Sequence, residues 1–264
     1  MKNTFHTQFL NKNDPFDVII QGGQSNAEGC GGGFVTDEYL PSENVLYMNN
    51  DFTVSVAEER ICDGEKINDF SLRFAAEYVR NGLLAEGRKL LILRAAVGGT
   101  GWADNRWGMT DDLYLKMMAM IKAALDLNPE NRLTAFLWHQ GETDFNPSSY
   151  DLHYRNLKTL VESVRDTYNY PKLPFIAGDF VNEWKTVYIA AGAPIAAAVK
   201  AVCEDIGYGA FVETDELHSN NQDRGCGDTV HFSREALNLL GLKYFKAYTQ
   251  IVKRNSIRSA GDIS

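Results

Sequence analysis

The sequence predicts a single α/β domain built around a mainly parallel sheet. Two observations support this prediction. Short apolar runs alternate with amphipathic stretches about five times along the 264 residues, which is the pattern of βαβ units. Several runs, such as residues 90–93, are apolar without interruption, as expected for strands buried on both faces. Neither a repeat nor a Pro- and Ser-rich linker divides the chain, so we expect one domain over residues 1–264.

The individual elements follow from local apolar patterns and from helix start and stop signals. Strands are expected at residues 16–20, 45–48, 90–93, 133–138, 175–177 and 210–212, the second being the weakest. Helices are expected from Asn68 or Asp69 to near Gly82, over residues 111–127, over residues 148–168, from Pro194 to about Ile206, and from a cap at Ser233 onward.

Charge and hydropathy exclude several classes of partner. The formal net charge is −9 and the isoelectric point is about 5.1, which disfavours binding to nucleic acids or anionic membranes. Apolar runs are shorter than the roughly 18–20 residues that a membrane span needs. Residues 1–13 are polar and do not resemble a signal peptide, so we expect a cytoplasmic protein. Whether it forms a homo-oligomer is left open.

The four cysteines lack the spacing of a metal site. Cys30, Cys62, Cys203 and Cys226 are scattered and form no Cys-x-x-Cys motif, so a zinc site and a disulfide scaffold are both disfavoured. Reduced thiols are expected, and a disulfide between Cys30 and Cys226 is the alternative. We expect no metal and no cofactor.

The loops that follow the strands are the natural place for a site, because ligands of open parallel sheets bind outside the carboxyl ends of the strands. After the first strand comes Gly22-Gly23-Gln24-Ser25-Asn26. Its glycines permit a tight turn that can present Ser25 as a nucleophile. The alternative is a serine that only caps a helix. Phosphate-binding and dinucleotide motifs are missing, and Ala27 breaks the Gly-x-Ser-x-Gly elbow.

The loop at residues 97–102 is rich in glycine. Its Gly99 can offer a backbone N–H to an oxyanion, or the loop can be a flexible connector. Trp102 and Trp107 suggest an aromatic wall for a sugar, although loop tryptophans often cover the edge of a core.

Two further loops carry polar side chains. His139, Gln140 and Glu142 follow the strand at residues 133–138, where an amide can serve an oxyanion as well as a backbone N–H can. The alternatives are a packed histidine and a glutamate that binds turn N–H groups. Asp228 and His231, three residues apart, can share a hydrogen bond that fixes the histidine tautomer. The alternative is a capping aspartate beside an exposed histidine.

Together these loops supply what acyl transfer to water requires, in the order nucleophile, oxyanion donors, acid and base. The set resembles the SGNH-hydrolase superfamily, specifically its carbohydrate-esterase branch of sialate O-acetylesterases and acetylxylan esterases. The resemblance rests on residues 23–26, 98–100, 138–142 and 228–232. It implies a flavodoxin-like three-layer α/β/α sandwich with a mainly parallel five-stranded sheet, and ester hydrolysis without a cofactor.

The resemblance also implies roles for individual residues. Ser25 is the nucleophile, His231 the general base and then acid, and Asp228 the orienting acid. The N–H groups of Ser25 and Gly99 and the side chain of Gln140 form the oxyanion hole. Glu142 is a rival acid or a residue that shapes the site. Substrate contacts are expected from Gln24, Asn26, Trp102, Arg106 and His139.

The expected reaction is hydrolysis of O-acetyl esters of carbohydrates, such as acetylated xylan or sialic acid. Arg106 can pair with the carboxylate of sialic acid, or it can be an ordinary surface arginine. The alternatives are a short-chain or lipase-like esterase without sugar preference, and a non-catalytic sugar-binding module.

Overall fold

A computed structural model describes residues 14–146 and 148–261, with side chains as far as residue 254. The elements in chain order are β1 (Phe16–Gly23), α1 (Ser25–Glu28), β2 (Val45–Met48), β3 (Val54–Val56), β4 (Arg60–Cys62), β5 (Glu65–Ile67), α2 (Phe70–Arg80), β6 (Lys89–Arg94), α3 (Asp112–Asp126), β7 (Arg132–His139), a 3-10 turn (Glu142–Asp144), α4 (Tyr150–Tyr168), β8 (Phe175–Gly178), α5 (Asn182–Val187), α6 (Ile189–Asp205), β9 (Gly209–Val212), α7 (Asn220–Arg224) and α8 (Arg234–Gly261).

The central sheet has seven strands in the order β3-β2-β6-β1-β7-β8-β9. All neighbouring pairs are parallel except β2 and β3 at one edge. The α/β class and the mainly parallel sheet are confirmed, whereas the count of five strands is wrong. The count of five came from the family resemblance. The apolar runs predicted six of the seven strands and missed only β3, since three residues are too few for apolar alternation to reveal a strand. β4 and β5 form a separate hairpin.

The order of the strands also departs from the expected topology. If the six mutually parallel strands are numbered along the chain, their order across the sheet is 2-3-1-4-5-6. The flavodoxin order is 2-1-3-4-5. In the observed order β1 lies beside β7, the fourth parallel strand, whereas strands 1 and 4 are not neighbours in the flavodoxin order. The chain leaves β1 and β7 toward opposite halves of the sheet. A crevice at the carboxyl ends of these two strands is therefore expected.

Helices cover both faces of the sheet. Val18 and Ile20 of β1 contribute to one core cluster, which includes buried residues of α3, α4 and α6. Ile19, between them, belongs to a second cluster with buried residues of α2 and α8. Successive residues of a strand point to opposite faces, so the uninterrupted apolar runs are explained by two cores.

Most helix boundaries agree with their sequence signals. The Asp69 carboxylate accepts a hydrogen bond from the Ser71 N–H at the start of α2, and Ser233 Oγ accepts one from the Ala236 N–H at the start of α8. The expectation that Pro194 lies in a first helical turn is wrong. α6 begins at Ile189 and contains Pro194 in its interior. Proline lacks the N–H that would pair with the carbonyl one turn earlier, and tertiary packing outweighs that loss.

Gly23 shows why β1 ends as it does. It pairs with His139 at the last register position of β1 and β7, with φ +129°. A Cβ atom at Gly23 would lie 2.1 Å from the His139 carbonyl oxygen. Glycine thus lets the chain turn tightly against β7 just before Ser25. Within the described residues, no helix is both long and apolar enough to cross a bilayer.

Candidate active site

Ser25 opens the short helix α1, directly after β1 reaches the sheet edge. Its residue surface is 8% exposed. A Cβ atom built on Gly98, in the loop after β6, would lie 3.5 Å from Ser25 Cβ. The glycine-rich loop therefore packs closely against the serine.

Ser25, His231 and Asp228 form a continuous hydrogen-bonded chain. The Nε2 atom of His231 lies 2.9 Å from Ser25 Oγ. Its Nδ1 atom lies 3.0 Å from each carboxylate oxygen of Asp228. An ionised carboxylate only accepts hydrogen bonds, so Nδ1 carries the proton and Nε2 is left to accept the serine proton. This arrangement can deprotonate the hydroxyl as it attacks an electrophile.

Asn220 fixes the Asp228 carboxylate, and sequence reasoning missed it. Its Nδ2 donates to Asp228 Oδ2 at 2.9 Å, and its backbone N–H donates to the His231 carbonyl at 2.8 Å. Burial tends to raise the pKa of Asp228, but the bonds from Asn220 and His231 outweigh it and lower that pKa. The carboxylate is therefore ionised at neutral pH.

Asn26 is a buried link rather than a surface group. Its Oδ1 accepts the Phe232 N–H at 3.0 Å, and its Nδ2 donates to the Val230 carbonyl at 3.1 Å. These two partners flank His231 in the chain. Asn26 is 0% exposed, so the expected substrate contact is not available to its side chain. Instead, Asn26 ties the serine turn to the histidine loop.

Glu142 forms a hydrogen bond to Asn26, not to His231. Its Oε1 accepts the Asn26 Nδ2 donor at 2.7 Å. Burial raises the pKa of Glu142, opposed by the Asn26 hydrogen bond. The acid that contacts the His231 ring is Asp228. Glu142 is placed to support the loop through Asn26.

A carboxylate also holds the loop that contains Gly99. Glu28 Oε2 accepts the Gly98 N–H at 2.7 Å. Gly99 follows with φ +67° and is exposed, a backbone conformation that favours glycine. Because Gly98 is fixed, the exposed Gly99 is held on the loop that contacts Ser25.

Gln140 and Gln24 are buried beside the serine turn. Gln140 Nε2 donates to Asp144 Oδ2 at 2.9 Å and lies 3.4 Å from both Gln24 Oε1 and the Thr100 carbonyl. Gln24 Oε1 also accepts the Thr143 N–H at 3.3 Å. Gln24 and Gln140 are 3% and 1% exposed, so little of either amide reaches solvent.

The structure places Trp102, Trp107 and Arg106 in three different surroundings. Trp107 is 1% exposed and donates its ring N–H to Thr100 Oγ1, which places it in the core. Trp102 is partly buried, and the centroid of its ring lies 5.7 Å from the centroid of the Trp138 ring. Arg106 donates two hydrogen bonds to the carboxylate of Asp112, so its guanidinium already has an acidic partner.

His139 is a packed core histidine. It is 0% exposed, and its Nδ1 lies 3.2 Å from the Tyr244 hydroxyl, which donates to the Trp138 carbonyl. Burial lowers the pKa of His139 to about 3, so the ring is neutral. The substrate contact expected of His139 is not available at this position. The fully buried ring is covered from α8, which sequence patterns alone did not indicate.

The cysteines are free thiols. Cys30 and Cys226 are not bonded to each other, so the disulfide alternative is not formed. Burial raises the pKa of Cys30 to about 11. Over residues 14–146 and 148–261, no group of three His, Cys, Asp or Glu side chains is arranged to hold a metal ion.

Comparison with protein families gives a match over residues 15–250. The matching family is described as carbohydrate esterase, sialic acid-specific acetylesterase. This match covers far more than half of the chain. That family lies in the carboxylic ester hydrolase class of enzymes. The chain belongs to it, the family of sialic acid-specific acetylesterases among the carbohydrate esterases.

One curated relative is a probable 9-O-acetyl-N-acetylneuraminic acid deacetylase from Escherichia coli strain K12. The two sequences are 32% identical over 88 residues, which is 30% of this chain. The matched segment spans only 27% of that relative's own length.

Solved structures share the fold. NanS superposes with a TM-score of 0.75 at 18% identity, covering 93% of this chain and all of the other. A protein from Arabidopsis thaliana gives a TM-score of 0.70 at 22% identity, and the match covers 89% of this chain and 98% of that protein. A carbohydrate acetylesterase from Xanthomonas citri gives a TM-score of 0.54 at 14% identity, and the match covers 89% of this chain and 56% of that protein.

Proposed function

We propose that the protein hydrolyses O-acetyl esters of sialic acids through a Ser-His-Asp acyl-enzyme mechanism of the SGNH type. The observation that supports it most directly is the hydrogen-bonded chain from Asp228 through His231 to Ser25. This chain lies at the sheet edge where the site motifs converge. Family membership supports carbohydrate O-acetyl esters as the substrate class.

In the proposed first step, Ser25 Oγ attacks the acetyl carbonyl carbon while His231 Nε2 takes the hydroxyl proton. The resulting imidazolium is stabilised by Asp228, which stays ionised. The tetrahedral intermediate collapses, the bond to the sugar oxygen breaks, and that oxygen leaves with the proton from His231. An acetyl-serine remains.

In the second step, water attacks the acetyl-serine while His231 again serves as base. Collapse of the second intermediate breaks the bond to Ser25 Oγ, returns the proton to it and releases acetate. Both intermediates carry a negative oxygen. The proposed donors to it are the N–H groups of Ser25 and Gly99 and the Nε2 group of Gln140.

Sialic acids are proposed ahead of xylan on two grounds. The family description names sialic acid, and the Escherichia coli relative is named for 9-O-acetyl-N-acetylneuraminic acid. Arg106 is not the basis for this choice, since Asp112 already pairs with it. Gln24, which lies beside Gln140, is retained as a minor contact to the substrate.

The test is acetate release by the parent and Ser25→Ala from three substrates: O-acetylated sialic acid, acetylated xylan and 4-nitrophenyl acetate. We expect the highest kcat/KM on the sialic acid ester and a loss of at least about 10⁴-fold in kcat for Ser25→Ala. Activity of Ser25→Ala equal to that of the parent would refute the assignment of Ser25 as the nucleophile. A preference for the aryl ester over both sugars would instead favour a general short-chain esterase.

A further inference from the structure

We propose that Asp144 is a positioning residue that aims the Gln140 amide into the oxyanion hole. The inference rests on the proposed function, because it deepens the account of the same site. The sequence alone did not predict this role for Asp144, which is one of two carboxylates in the turn at residues 142–144.

The Asp144 carboxylate joins two loops. Its Oδ2 accepts the Gln140 Nε2 donor at 2.9 Å, in the loop after β7. Its Oδ1 accepts the Ala103 N–H at 2.9 Å and its Oδ2 lies 3.3 Å from the Trp102 nitrogen, both in the loop after β6. That second loop also contains Gly99. One carboxylate therefore connects the segments that bear the two proposed oxyanion donors outside the serine turn.

The site is shaped to admit this carboxylate. A Cβ atom at Gly101 would lie 2.5 Å from Asp144 Oδ1, so only glycine leaves room for the close approach. Asp144 is 0% exposed, and His153 Nδ1 lies 3.5 Å from its Oδ2. A buried carboxylate with several donors in fixed places has little freedom to move.

The ionised state of Asp144 decides which way the glutamine amide faces. Burial tends to raise the pKa of Asp144, yet His153, Gln140 and the Ala103 N–H together lower it. A carboxylate accepts but cannot donate, so the nitrogen of the Gln140 amide must face it. One N–H of that group is committed to Asp144. The other has only long contacts of 3.4 Å and is available to a substrate oxygen.

Loss of the carboxylate charge would release this constraint. An asparagine at residue 144 has one acceptor oxygen for donors from two loops, and its own NH₂ group can pair with the Gln140 oxygen. The glutamine could then turn its oxygen toward the developing oxyanion, which repels it. The penalty falls on the transition state rather than on substrate binding, so it appears in kcat.

The experiment is a double-mutant cycle of Asp144→Asn and Gln140→Ala, assayed with 4-nitrophenyl acetate. We expect Asp144→Asn to lower kcat about 10- to 100-fold while KM changes less than about threefold. In the Gln140→Ala background, the fold loss in kcat that Asp144→Asn causes should be smaller by a factor of at least about three. Asp17→Asn is the matched control, because Asp17 is also a fully buried carboxylate but lies at the opposite end of β1.

Gly101→Ala provides a second perturbation that retains the charge. The added methyl group would displace the Asp144 carboxylate, and we expect a similar selective loss in kcat. If Asp144→Asn does not fold, Gly101→Ala tests the proposal in its place. Unchanged kcat in a folded Asp144→Asn or Gly101→Ala variant would overturn the proposal, as would an equal loss with and without Gln140. If Ser25→Ala keeps full activity, the proposed function fails instead, so the two failures are distinguishable.

Discussion

The His231 imidazole reaches the Ser25 hydroxyl at 2.9 Å although the two residues are 206 positions apart in the chain. Hydrogen bonds from two asparagines explain the approach. Asn26, next to the serine, bonds to the backbone of Val230 and Phe232 on either side of the histidine. Asn220 bonds to the His231 carbonyl through its backbone N–H and to Asp228 through its side chain. The serine turn and the histidine loop are thus held from both sides.

This geometry predicts that Asp228 and Glu142 differ sharply in importance. Asp228→Asn should lower kcat by about 10²- to 10⁴-fold, because the neutral amide no longer stabilises the imidazolium and can favour the wrong tautomer. Glu142→Gln should cost less than about tenfold, since a glutamine oxygen can still accept the Asn26 donor. Steady-state kinetics of the two variants provide the measurement. A larger loss for Glu142→Gln would reassign the acid.

A second prediction concerns Asn26. Asn26→Ala removes hydrogen bonds to Glu142, Val230 and Phe232 and leaves buried partners unpaired, so we expect a loss of about 2–4 kcal/mol in the free energy of unfolding. Activity should fall as well, because the histidine loop loses its tie to the serine turn. Urea unfolding and kcat are measured on the same preparations. Parent-like values for both would show that the loop is held by other contacts.

The sequence predicts the edge of the sheet at which the proposed site lies, because strand ends are local features. The loops that contain Ser25, Gly99 and Gln140 each follow an apolar run, and parallel strands bring their carboxyl ends to one edge. Ser25, Gly99 and Gln140 could be placed together on this basis alone. Asp228 and His231 could be paired because they lie three positions apart on one loop.

Other features depend on contacts that no local pattern encodes. Asn220 acts on Asp228 from a neighbouring helix, and Asp144 acts on a loop some forty residues earlier in the chain. His139 was expected to contact the substrate, with a packed histidine as the alternative, and the sequence did not indicate that Tyr244 of α8 lies against its ring. Strand order is likewise unspecified by periodicity, which is why the sheet topology differed from expectation.

Thiol labelling is expected to proceed in a defined order. Cys62 and Cys226 are exposed, whereas Cys30 is partly buried with its pKa raised to about 11, and Cys203 is buried with its pKa raised to about 12. Because the thiolate is the reactive form, iodoacetamide at pH 7 should modify Cys62 and Cys226 well before the other two. Mass spectrometry of digested protein over time measures this order. Four thiols should react in denaturant without reductant; only two would indicate a disulfide.

Asp17 is expected to control stability in acid without affecting catalysis. Its buried carboxylate accepts bonds from Arg88 and Arg132, each at 2.7 Å, and from the Tyr78 hydroxyl at 2.8 Å, at the end of β1 away from Ser25. Burial tends to raise the pKa of Asp17, but these partners outweigh it and lower that pKa. We expect Asp17→Asn to reduce the free energy of unfolding by about 2–4 kcal/mol at pH 7, since Arg88 loses its buried partner.

The sign of the pH dependence follows from the lowered pKa. The stabilisation from Asp17 is fully present above the unfolded-state pKa of about 3.9 and is lost as the pH falls through the lower folded-state value. The difference in unfolding free energy between parent and Asp17→Asn should therefore be constant from pH 7 to 5 and shrink below about pH 4. Urea titrations at pH 7, 5 and 3 measure it. A difference that persists undiminished in acid would mean that the carboxylate charge is not what stabilises this end of the sheet.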